Sequence, residues 1–375
     1  MIYLDSGATT LEKPQSVRSA MARAVNTMSS PGRGSHQATR LAEETDYACR
    51  TAAAQLFGVE DESNVVFTSN ATHGLNIAIH TLVRPGSRVV ISGYEHNAVT
   101  RPLHAIPNVT LIILDTPPFQ PERMVEELKT VLAQGADVVI CNHVSNVFGC
   151  VQPVEEMAAL CVEAGVPFLL DASQSAGILP VRMDQLHAAF IAMPGHKGLY
   201  GPQGTGLLLC GQEPTPLLYG GTGSLSRLQT MPEILPDRLE SGTHNMPGIA
   251  GLLAGLRYVQ RTGTAAIAAH ERRLTARAVE LLRHTEGIRL FWQEGFQHQT
   301  GVLSFVVEGI DCEELGEAMA RQGVALRAGL HCAPLAHRTA GTLKTGTVRF
   351  SPSAFNTPAQ VERFAQILQA TLRKM

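Results

Sequence analysis

This sequence lacks the features that mark membrane proteins, nucleic-acid-binding proteins and secreted proteins. No apolar stretch reaches the length of a membrane span without a glycine, a proline or a charge, so we expect no membrane partner. Lys and Arg number 30 against 33 Asp and Glu, with no long basic run, which argues against nucleic acid as a partner. Residues 1–5 carry neither the basic nor the apolar region of a signal peptide, so we expect a cytoplasmic protein.

Closely spaced cysteine pairs are also absent, although the chain has seven cysteines. Without a Cys-x-x-Cys spacing, neither a zinc site nor a disulfide framework is expected, and we predict no metal. Cytosolic thiols stay reduced. A cysteine with a chemical role should therefore act alone.

The sequence does contain a regular alternation of apolar strands and helices. It is long enough for a large domain and a smaller one, with 375 residues of which 44% are hydrophobic. Helical stretches such as 122–133 and 154–164 separate the predicted strands, which lie at residues 65–68, 88–92, 109–114, 137–141, 167–171 and 188–192. This alternation is typical of an α/β fold, in which helices cover both faces of a mainly parallel sheet.

We predict two domains from this pattern. The large domain covers residues 15–250, and a smaller α+β domain combines residues 1–14 with residues 251–375. A helix at residues 247–262 links them. In the smaller domain we expect strands at residues 301–307, 324–327 and 347–351 and a helix at residues 312–321. We also expect a closing helix, for which Thr357 supplies the cap and Pro358 the first-turn proline.

Polar residues follow four of the predicted strands. They lie at residues 95–97, 142–146, 171–175 and 196–197. Ligands of open parallel sheets bind beyond the carboxyl ends of the strands. The four clusters therefore predict a pocket at that edge.

The last of these clusters contains a lysine in an unusual setting. Lys197 lies in a glycine- and proline-rich turn between two apolar runs that predict strands. A buried ammonium is costly, so such a lysine should be neutralised, paired or covalently used. The alternative is a surface-turn lysine whose stem covers apolar side chains.

A second stretch has the character of a phosphate site. Residues 69–76 form a small polar turn between a strand and a helix, where free N–H groups and a hydroxyl meet the positive end of the helix. Thr72 could instead serve only as a helix cap. In the loop at residues 30–36, Arg33 could contact an anion or remain solvated.

Taken in order, the motifs resemble those of the cysteine desulfurases, within the class V family of fold-type I pyridoxal 5'-phosphate (PLP) enzymes. The resemblance spans nearly the whole chain. It is carried by Tyr3-Leu4-Asp5-Ser6-Gly7-Ala8-Thr9-Thr10, Glu95-His96, His143-Val144-Ser145-Asn146, Asp171-x-x-Gln174-Ser175, Gly195-His196-Lys197-x-x-Tyr200-Gly201-Pro202 and Arg327-x-Gly329-x-His331-Cys332-Ala333. The last motif is similar to the Suf-type, or group II, branch, which includes selenocysteine lyases.

The resemblance implies a fold-type I transferase with a seven-stranded type of sheet in the large domain. It also implies PLP as cofactor, a homodimer with its active site near the interface, and a possible sulfur-acceptor protein in iron–sulfur cluster assembly or another sulfur pathway. Lys197 would join covalently to the PLP aldehyde. A carboxylate that keeps the ring nitrogen protonated makes PLP an electron sink, and Asp171 is placed for this role.

The resemblance assigns further cofactor contacts. Gln174 would contact the phenolic oxygen of the ring, His96 would stack on the ring and move protons, and Asn146 would lie near the ring hydroxyl and the substrate. Each of these side chains could instead be a satisfied loop or helix-start residue.

The phosphate of PLP would be held by Thr72, the backbone of His73 and the side chain of His196. Thr243 would reach the partner's cofactor across the dimer interface, unless it is an ordinary turn residue. Two hydroxyl donors common in the family are missing, because Ala71 and Pro194 occupy their positions. We therefore expect weaker phosphate binding, or compensation by Arg33 and water.

The resemblance places the reaction's nucleophile at Cys332. A thiol between His331 and nearby arginines ionises more easily than a free one, and the thiolate is the attacking species. Arg349 would grip the substrate carboxylate through two parallel hydrogen bonds, and Arg327 is a second candidate; either could pair with a structural carboxylate instead. The implied reaction converts L-cysteine to L-alanine and leaves a persulfide on Cys332.

Three alternatives remain open at this point. A selenocysteine lyase acting on L-selenocysteine would have the same fold and site. Another class V PLP enzyme, such as an aminotransferase or a kynureninase-like hydrolase, would differ in its products. A non-catalytic sulfur-carrier partner would keep the fold without the reaction.

Overall fold

A computed structural model describes residues 1–32 and 34–375 of the chain. Arg33, the expected anion contact, lies outside the described residues. The α-helices found in the described ranges are α1 (Gln15–Thr27), α2 (Gln37–Phe57), α3 (Ala71–Leu82), α4 (Asn97–Ala105), α5 (Pro121–Ala133), α6 (Val154–Ala164), α7 (Met183–Leu186), α8 (Met246–Thr262), α9 (Thr264–Leu282), α10 (Cys312–Arg321), α11 (Pro334–Thr339) and α12 (Pro358–Leu372).

The strands alternate with these helices through the first two hundred residues and then follow a different order. They are β1 (Ile2–Tyr3), β2 (Val65–Thr68), β3 (Arg88–Ser92), β4 (Thr110–Leu114), β5 (Val138–Asn142), β6 (Phe168–Asp171), β7 (Phe190–Pro194), β8 (Gly206–Cys210), β9 (Ile288–Phe291), β10 (Leu303–Val307), β11 (Val324–Ala325), β12 (Arg327–Gly329) and β13 (Thr347–Phe350). Short 3₁₀ helices cover Glu62–Asn64 and Glu294–Phe296.

The larger sheet has seven strands in the order β2-β8-β7-β6-β5-β3-β4. Strands β3 to β7 pair in parallel with one another, whereas β8 is antiparallel to both β7 and β2. The predicted α/β fold with a mainly parallel seven-stranded sheet is thus confirmed. The sheet brings the carboxyl ends of β3, β5, β6 and β7 to one edge.

The central strands are buried on both faces. All residues of β5 to β8 are buried, as expected where helices cover a parallel sheet on both sides. Hydrophobic clusters lie on the two faces, one containing Phe148 and Leu170 and the other containing Leu75 and Phe190.

Strand β7 starts and ends two residues later than the sequence predicted. Its last residue, Pro194, pairs with Gly206 of β8. Proline has no N–H to donate, so it fits the end of a strand. The strand consequently runs to within three residues of Lys197.

A smaller sheet contains four antiparallel strands in the order β12-β13-β10-β9. The single strand predicted at residues 324–327 is in fact two strands, because its two halves have different partners. β11 pairs in parallel with β1, while β12 pairs with β13. The N-terminal strand therefore lies with C-terminal residues, and Leu4 shares a buried core with Phe305 and Phe350.

The end of the chain is a capped helix, as the sequence predicted. The Thr357 hydroxyl accepts from the Gln360 N–H, and the Gln360 side chain accepts from the Thr357 N–H. Pro358 occupies the first turn, where its missing N–H costs nothing.

No helix in the described ranges is long and apolar enough to cross a membrane.

Buried charges tie the segment before α8 to helix α2. Arg50 pairs with Asp46 and with Glu240, and Glu240 also accepts from the Phe67 N–H. His244 lies between the two carboxylates, 3.0 Å from Asp46 and 3.2 Å from Glu240. Its hydrogen bond with Asp46 raises the pKa of His244, and burial opposes this only in part.

Candidate active site

A cavity of about 210 Å³ lies at the edge where the parallel strands end. Seven of the residues singled out from the sequence line it: Thr72, His96, Asn146, Asp171, Gln174, His196 and Lys197. Ala71 and Pro194, the two departures from the family pattern, line it as well. His73 and Thr243 line a separate, larger hollow of about 450 Å³.

Lys197 follows strand β7 and forms part of the cavity wall. Burial lowers its pKa to about 8, although the nearby Asp171 carboxylate partly offsets this effect. Charged side chains at Arg349 and Arg327 lower the pKa further. A lysine with such a pKa has a substantial neutral fraction near physiological pH, which is what a nucleophilic amine needs.

Asp171 ends strand β6 and is almost fully buried beside the cavity. Its Oδ1 accepts from the backbone N–H of Ser173 at 2.9 Å. This bond fixes the carboxylate at the sheet edge. Gln174, one turn further, donates from Nε2 to the Gly7 carbonyl at 2.9 Å. Gln174 lines the cavity, and its Oε1 has no hydrogen-bond partner among the residues that the structure describes.

His96 is held as a neutral imidazole. It caps helix α4, and its Nδ1 accepts from the Ala98 N–H at 3.0 Å. Burial lowers the pKa of His96 to about 4, against the opposing effect of Asp171. Because Nδ1 accepts, the ring proton resides on Nε2. The His96 ring thus presents one donor to its surroundings.

Glu95, directly before His96, is a buried carboxyl that the sequence reasoning quoted but did not assign. Its Oε1 accepts from the Ser92 hydroxyl at 2.5 Å and from the Asn142 N–H at 2.7 Å. Burial raises the pKa of Glu95 to about 8. A protonated Glu95 leaves Asp171 as the carboxylate that faces the cavity.

The anion end of the cavity is the N-terminus of helix α3. Asn70 caps this helix and accepts from the His73 N–H at 2.9 Å. Among the residues that the structure describes, the N–H groups of Ala71 and Thr72 have no acceptor. The free donors at a helix N-terminus suit a phosphate. The backbone N–H of His73 is already paired, so its predicted role as an anchor stays a prediction.

His196 directly precedes Lys197 and contacts residues of the N-terminal segment. Its Nδ1 is 3.0 Å from the Thr9 hydroxyl. Burial, helped by the charges of Lys197 and Lys13, lowers the pKa of His196 to about 4. Lys13 itself donates to the His196 carbonyl at 3.0 Å. A neutral His196 can serve as a hydrogen-bond donor to an anion, but it adds no charge.

Arg349 is buried and already has partners. Its Nη2 lies 2.6 Å from Oδ1 of Asp5, and its Nη1 donates to the Asn146 carbonyl at 2.8 Å. Its Nε has no partner in the described part of the chain. The Nε–H is therefore a buried donor of Arg349 that lacks an acceptor. Arg327 is exposed and directly opposite Arg349 in the pairing of β12 with β13.

Cys332 is exposed, whereas the other six cysteines are buried. It lies in a turn from Leu330 to Ala333 that is closed by the Ala333 N–H, which donates to the Leu330 carbonyl at 2.8 Å. His331 and Cys332 both have positive φ, 50° and 56°. Non-glycine residues seldom adopt this conformation.

His331 does not supply a positive charge to the thiol. Its Nε2 lies 3.1 Å from both the carbonyl and the hydroxyl of Thr347. Burial, together with the charge of Arg349, lowers the pKa of His331 well below its ordinary range. The expectation that His331 would help the thiol of Cys332 to ionise is therefore replaced by a structural role for a neutral ring.

The Cys332 turn is joined to the cavity wall by two hydrogen bonds. The Asn97 N–H donates to the Cys332 carbonyl at 2.8 Å, and Asn146 Nδ2 donates to the His331 carbonyl at 2.8 Å. The sequence analysis singled out the stretches that contain Asn97 and Asp5 but gave these two residues no role, because Asn97 acts through its backbone and Asp5 pairs with a residue 344 positions away. Thr243 lies outside the Lys197 cavity, on an exposed turn.

The geometry of the site by itself indicates a class of protein. A lysine of lowered pKa at a sheet edge, a buried aspartate beside it and a helix N-terminus form the pattern of a PLP site on a parallel sheet. The aminotransferase class-V family model matches residues 2–364. The chain belongs to the aminotransferase class-V family, whose members, the cysteine desulfurases included, depend on PLP.

Cysteine desulfurases are among the proteins that this chain resembles. It is 33% identical to a "Probable cysteine desulfurase" of Mycolicibacterium paratuberculosis, over 98% of this chain and 55% of that protein. It is 32% identical to "Probable cysteine desulfurase 2" of Mycobacterium leprae, over 99% of this chain and 91% of that protein. This chain thus spans about half of the first relative and nearly all of the second.

The fold agrees with the same comparison. The apo structure of a cysteine desulfurase from Thermococcus onnurineus matches with a TM-score of 0.90 at 29% identity, covering 100% of this chain and 95% of that one. The predicted family and fold are confirmed. The roles of individual site residues, and the placement in the group II branch, stay predictions.

Proposed function

We propose that this protein is a PLP-dependent cysteine desulfurase that converts L-cysteine to L-alanine and receives the sulfur on Cys332. One observation carries the proposal. The turn that bears the exposed Cys332 is hydrogen-bonded to Asn97 and Asn146 at the wall of the Lys197 cavity. These two hydrogen bonds support a shared site for the Cys332 thiol and the Lys197 amine.

The residues present fit the cofactor. Asn146 Oδ1 is a buried acceptor without a partner in the described chain, and the free N–H groups of Ala71 and Thr72 mark an anion position. Asp171 would hold the ring nitrogen, and Thr72 and His196 would contact the phosphate. When bound, PLP supplies an electron sink and a covalent attachment point for the substrate's amino group.

The chain's own groups account for the remaining steps. Arg349 would bind the substrate carboxylate, using the Nε–H that has no acceptor in the described part of the chain. The Lys197 amine would take the proton from the substrate's α-carbon. The Cys332 thiolate would attack the substrate sulfur, so that an S–S bond forms and the carbon–sulfur bond breaks. The carbon product accepts a proton and leaves as alanine, and the sulfur remains on Cys332 as a persulfide.

The experiment compares two cysteine variants of the PLP-loaded protein. Cys332→Ala should keep the visible absorbance of bound PLP and lose alanine production from L-cysteine. Cys161→Ala, at a buried position on α6, is the matched control and should retain both. Full alanine production by Cys332→Ala would contradict the proposal, and a keto acid as the product would indicate an aminotransferase.

We also propose that two copies of the chain form a homodimer. The segment before α8 exposes six large apolar side chains, Leu217, Leu218, Tyr219, Leu225, Leu228 and Ile234. A concentration of exposed apolar residues marks an interaction surface. Thr243 lies near the end of this segment and outside the Lys197 cavity of its own chain, which is consistent with a role at the partner's site. Sedimentation should give a dimer, and Leu218→Asp with Leu228→Asp should give a monomer.

The remaining parts of the proposal concern domains, location and the acceptor. The division into residues 15–250 on one side and residues 1–14 with 251–375 on the other is supported by the core around the smaller sheet, which contains no residue from 15–250. The core around the larger sheet also includes Leu252, Leu256 and Ala333 from beyond residue 250. A cytoplasmic location is supported by seven free cysteines, because reducing compartments preserve thiols. The exposure of Cys332 suits transfer of sulfur to an acceptor protein.

A further inference from the structure

The turn at Cys332 has a backbone that its sequence does not favour. Consecutive positive φ angles at the two central residues are typical of type I′ turns, where Asn and Gly predominate. Here the two positions are His331 and Cys332, with φ of 50° and 56°. Residues in this region persist only where the surrounding structure holds them.

The surrounding structure holds this turn from the cavity side. The Asn97 N–H donates to the Cys332 carbonyl at 2.8 Å, and Asn97 directly follows His96 of the cavity wall. Asn146, which itself lines the cavity, donates from Nδ2 to the His331 carbonyl at 2.8 Å. Both carbonyl groups of the strained pair therefore depend on residues at the cofactor site.

Asn146 is the one of these two residues whose side chain meets both the turn and the cavity. A carbonyl only accepts hydrogen bonds, so Nδ2 must point to His331 and Oδ1 away from it. Oδ1 is buried and has no partner within the described ranges. The backbone carbonyl of Asn146 accepts from Arg349, which fixes the main chain at this residue. Only the side-chain amide can then change its orientation when the cavity is occupied.

We propose that Asn146 is a positioning residue that couples occupancy of the Lys197 cavity to the conformation of the Cys332 turn. An occupant that hydrogen-bonds the free part of the amide fixes its orientation. The amide then keeps its bond to the His331 carbonyl, and the strained turn stays closed. The proposal rests on the proposed function only in taking PLP as the occupant.

Hydrogen exchange measures this coupling without turnover. The N–H groups of Asn97 and Ala333 form the bonds that hold and close the turn, so their exchange rates report its opening. In the wild-type protein, loading with PLP should slow exchange at both amides by roughly fivefold or more. Equal rates in the apo and PLP-loaded proteins would overturn the proposal.

A side-chain variant isolates Asn146. Asn146→Ala should bind PLP, as judged by its visible absorbance, and yet show no PLP-dependent slowing at Asn97 and Ala333. Ser173→Ala, which also changes the cavity lining, is the control and should keep the wild-type response. An undiminished response in Asn146→Ala would contradict the coupling, whatever the activity of the variant.

A second pair of variants covers the case in which Asn146→Ala loses PLP. Asn97 is the first residue of α4, a position where proline is tolerated because its missing N–H has no helical partner. Asn97→Pro deletes the donor to the Cys332 carbonyl, whereas Asn97→Ala keeps it. Exchange at Ala333 should become fast and independent of PLP in Asn97→Pro only. Similar exchange in the two variants would show that this tie does not hold the turn.

Discussion

Replacing Lys197 by methionine should make the apo protein more stable at neutral pH. The pKa of Lys197 falls from 10.5 to about 8 on folding, chiefly through burial. A lowered lysine pKa means that the charged form is disfavoured in the fold. Each unit of pKa corresponds to about 1.4 kcal/mol, so the cost reaches about 3 kcal/mol at full burial. Because Lys197 is only partly buried, we expect a gain of about 1–3 kcal/mol in Lys197→Met.

The lowered pKa of Lys197 also determines how the free energy of unfolding changes with pH. Between pH 8 and pH 10.5, the unfolded chain binds more protons at Lys197 than the folded chain does. The wild-type free energy of unfolding therefore rises with pH in that window, and the advantage of Lys197→Met should shrink there. Urea unfolding of both apo proteins at pH 7 and pH 10 measures it. Lys374→Met is the control, at an exposed lysine near the C-terminus.

Two results would refute this reasoning. A Lys197→Met protein less stable than the wild type at pH 7 would show that the amine is well solvated or paired. A difference that stays constant from pH 7 to pH 10 would show that the pKa of Lys197 is not lowered. PLP must be removed completely, because a ligand that binds only the folded state adds its own stabilisation.

Three further predictions follow from the same groups. Pro194→Ser restores a hydroxyl beside the phosphate position and should lower the dissociation constant of PLP roughly tenfold, as measured by fluorescence titration; an unchanged constant would count against the missing-donor interpretation. Below the raised pKa of His244, the charged imidazole stabilises the folded protein. The wild-type protein should therefore lose stability relative to His244→Gln as the pH rises past that pKa. A difference in urea midpoint between the two proteins that is the same at pH 6 and pH 8 would contradict this. The wild-type protein should become less stable as the pH rises from 4.5 to about 8, because the folded protein retains the Glu95 proton there and the unfolded chain does not. Glu95→Gln should remove this loss of stability. Urea midpoints that fall equally with pH in both proteins would contradict it.

Much of the site could be predicted because strand ends are visible in a sequence. Asp171 and Lys197 each follow an apolar run, and the runs end at the same edge of a parallel sheet. The exact first and last residues of the strands were harder to predict. Strand β7 lies two residues later than predicted because Pro194 is still paired with Gly206 of β8, which an apolar pattern does not reveal.

The contacts that complete the site could not be predicted in this way. Asp5 and Arg349 meet only because β1 joins the C-terminal strands, and no local pattern links two residues so far apart. The left-handed turn at His331 and Cys332 lacks the Asn-Gly, Asp-Gly or Gly-Gly pair that marks such turns in a sequence. Asn97 contributes a backbone N–H, which every residue except proline also has.

The central claim is that Cys332 receives the substrate's sulfur. The direct measurement is mass spectrometry of the PLP-loaded protein after brief treatment with L-cysteine and trapping of thiols by alkylation. The account predicts one additional sulfur atom on the peptide that contains Cys332, and none on the peptides of the six buried cysteines. Alanine release with the Cys332 peptide unmodified, or with the added sulfur on another cysteine, would contradict it.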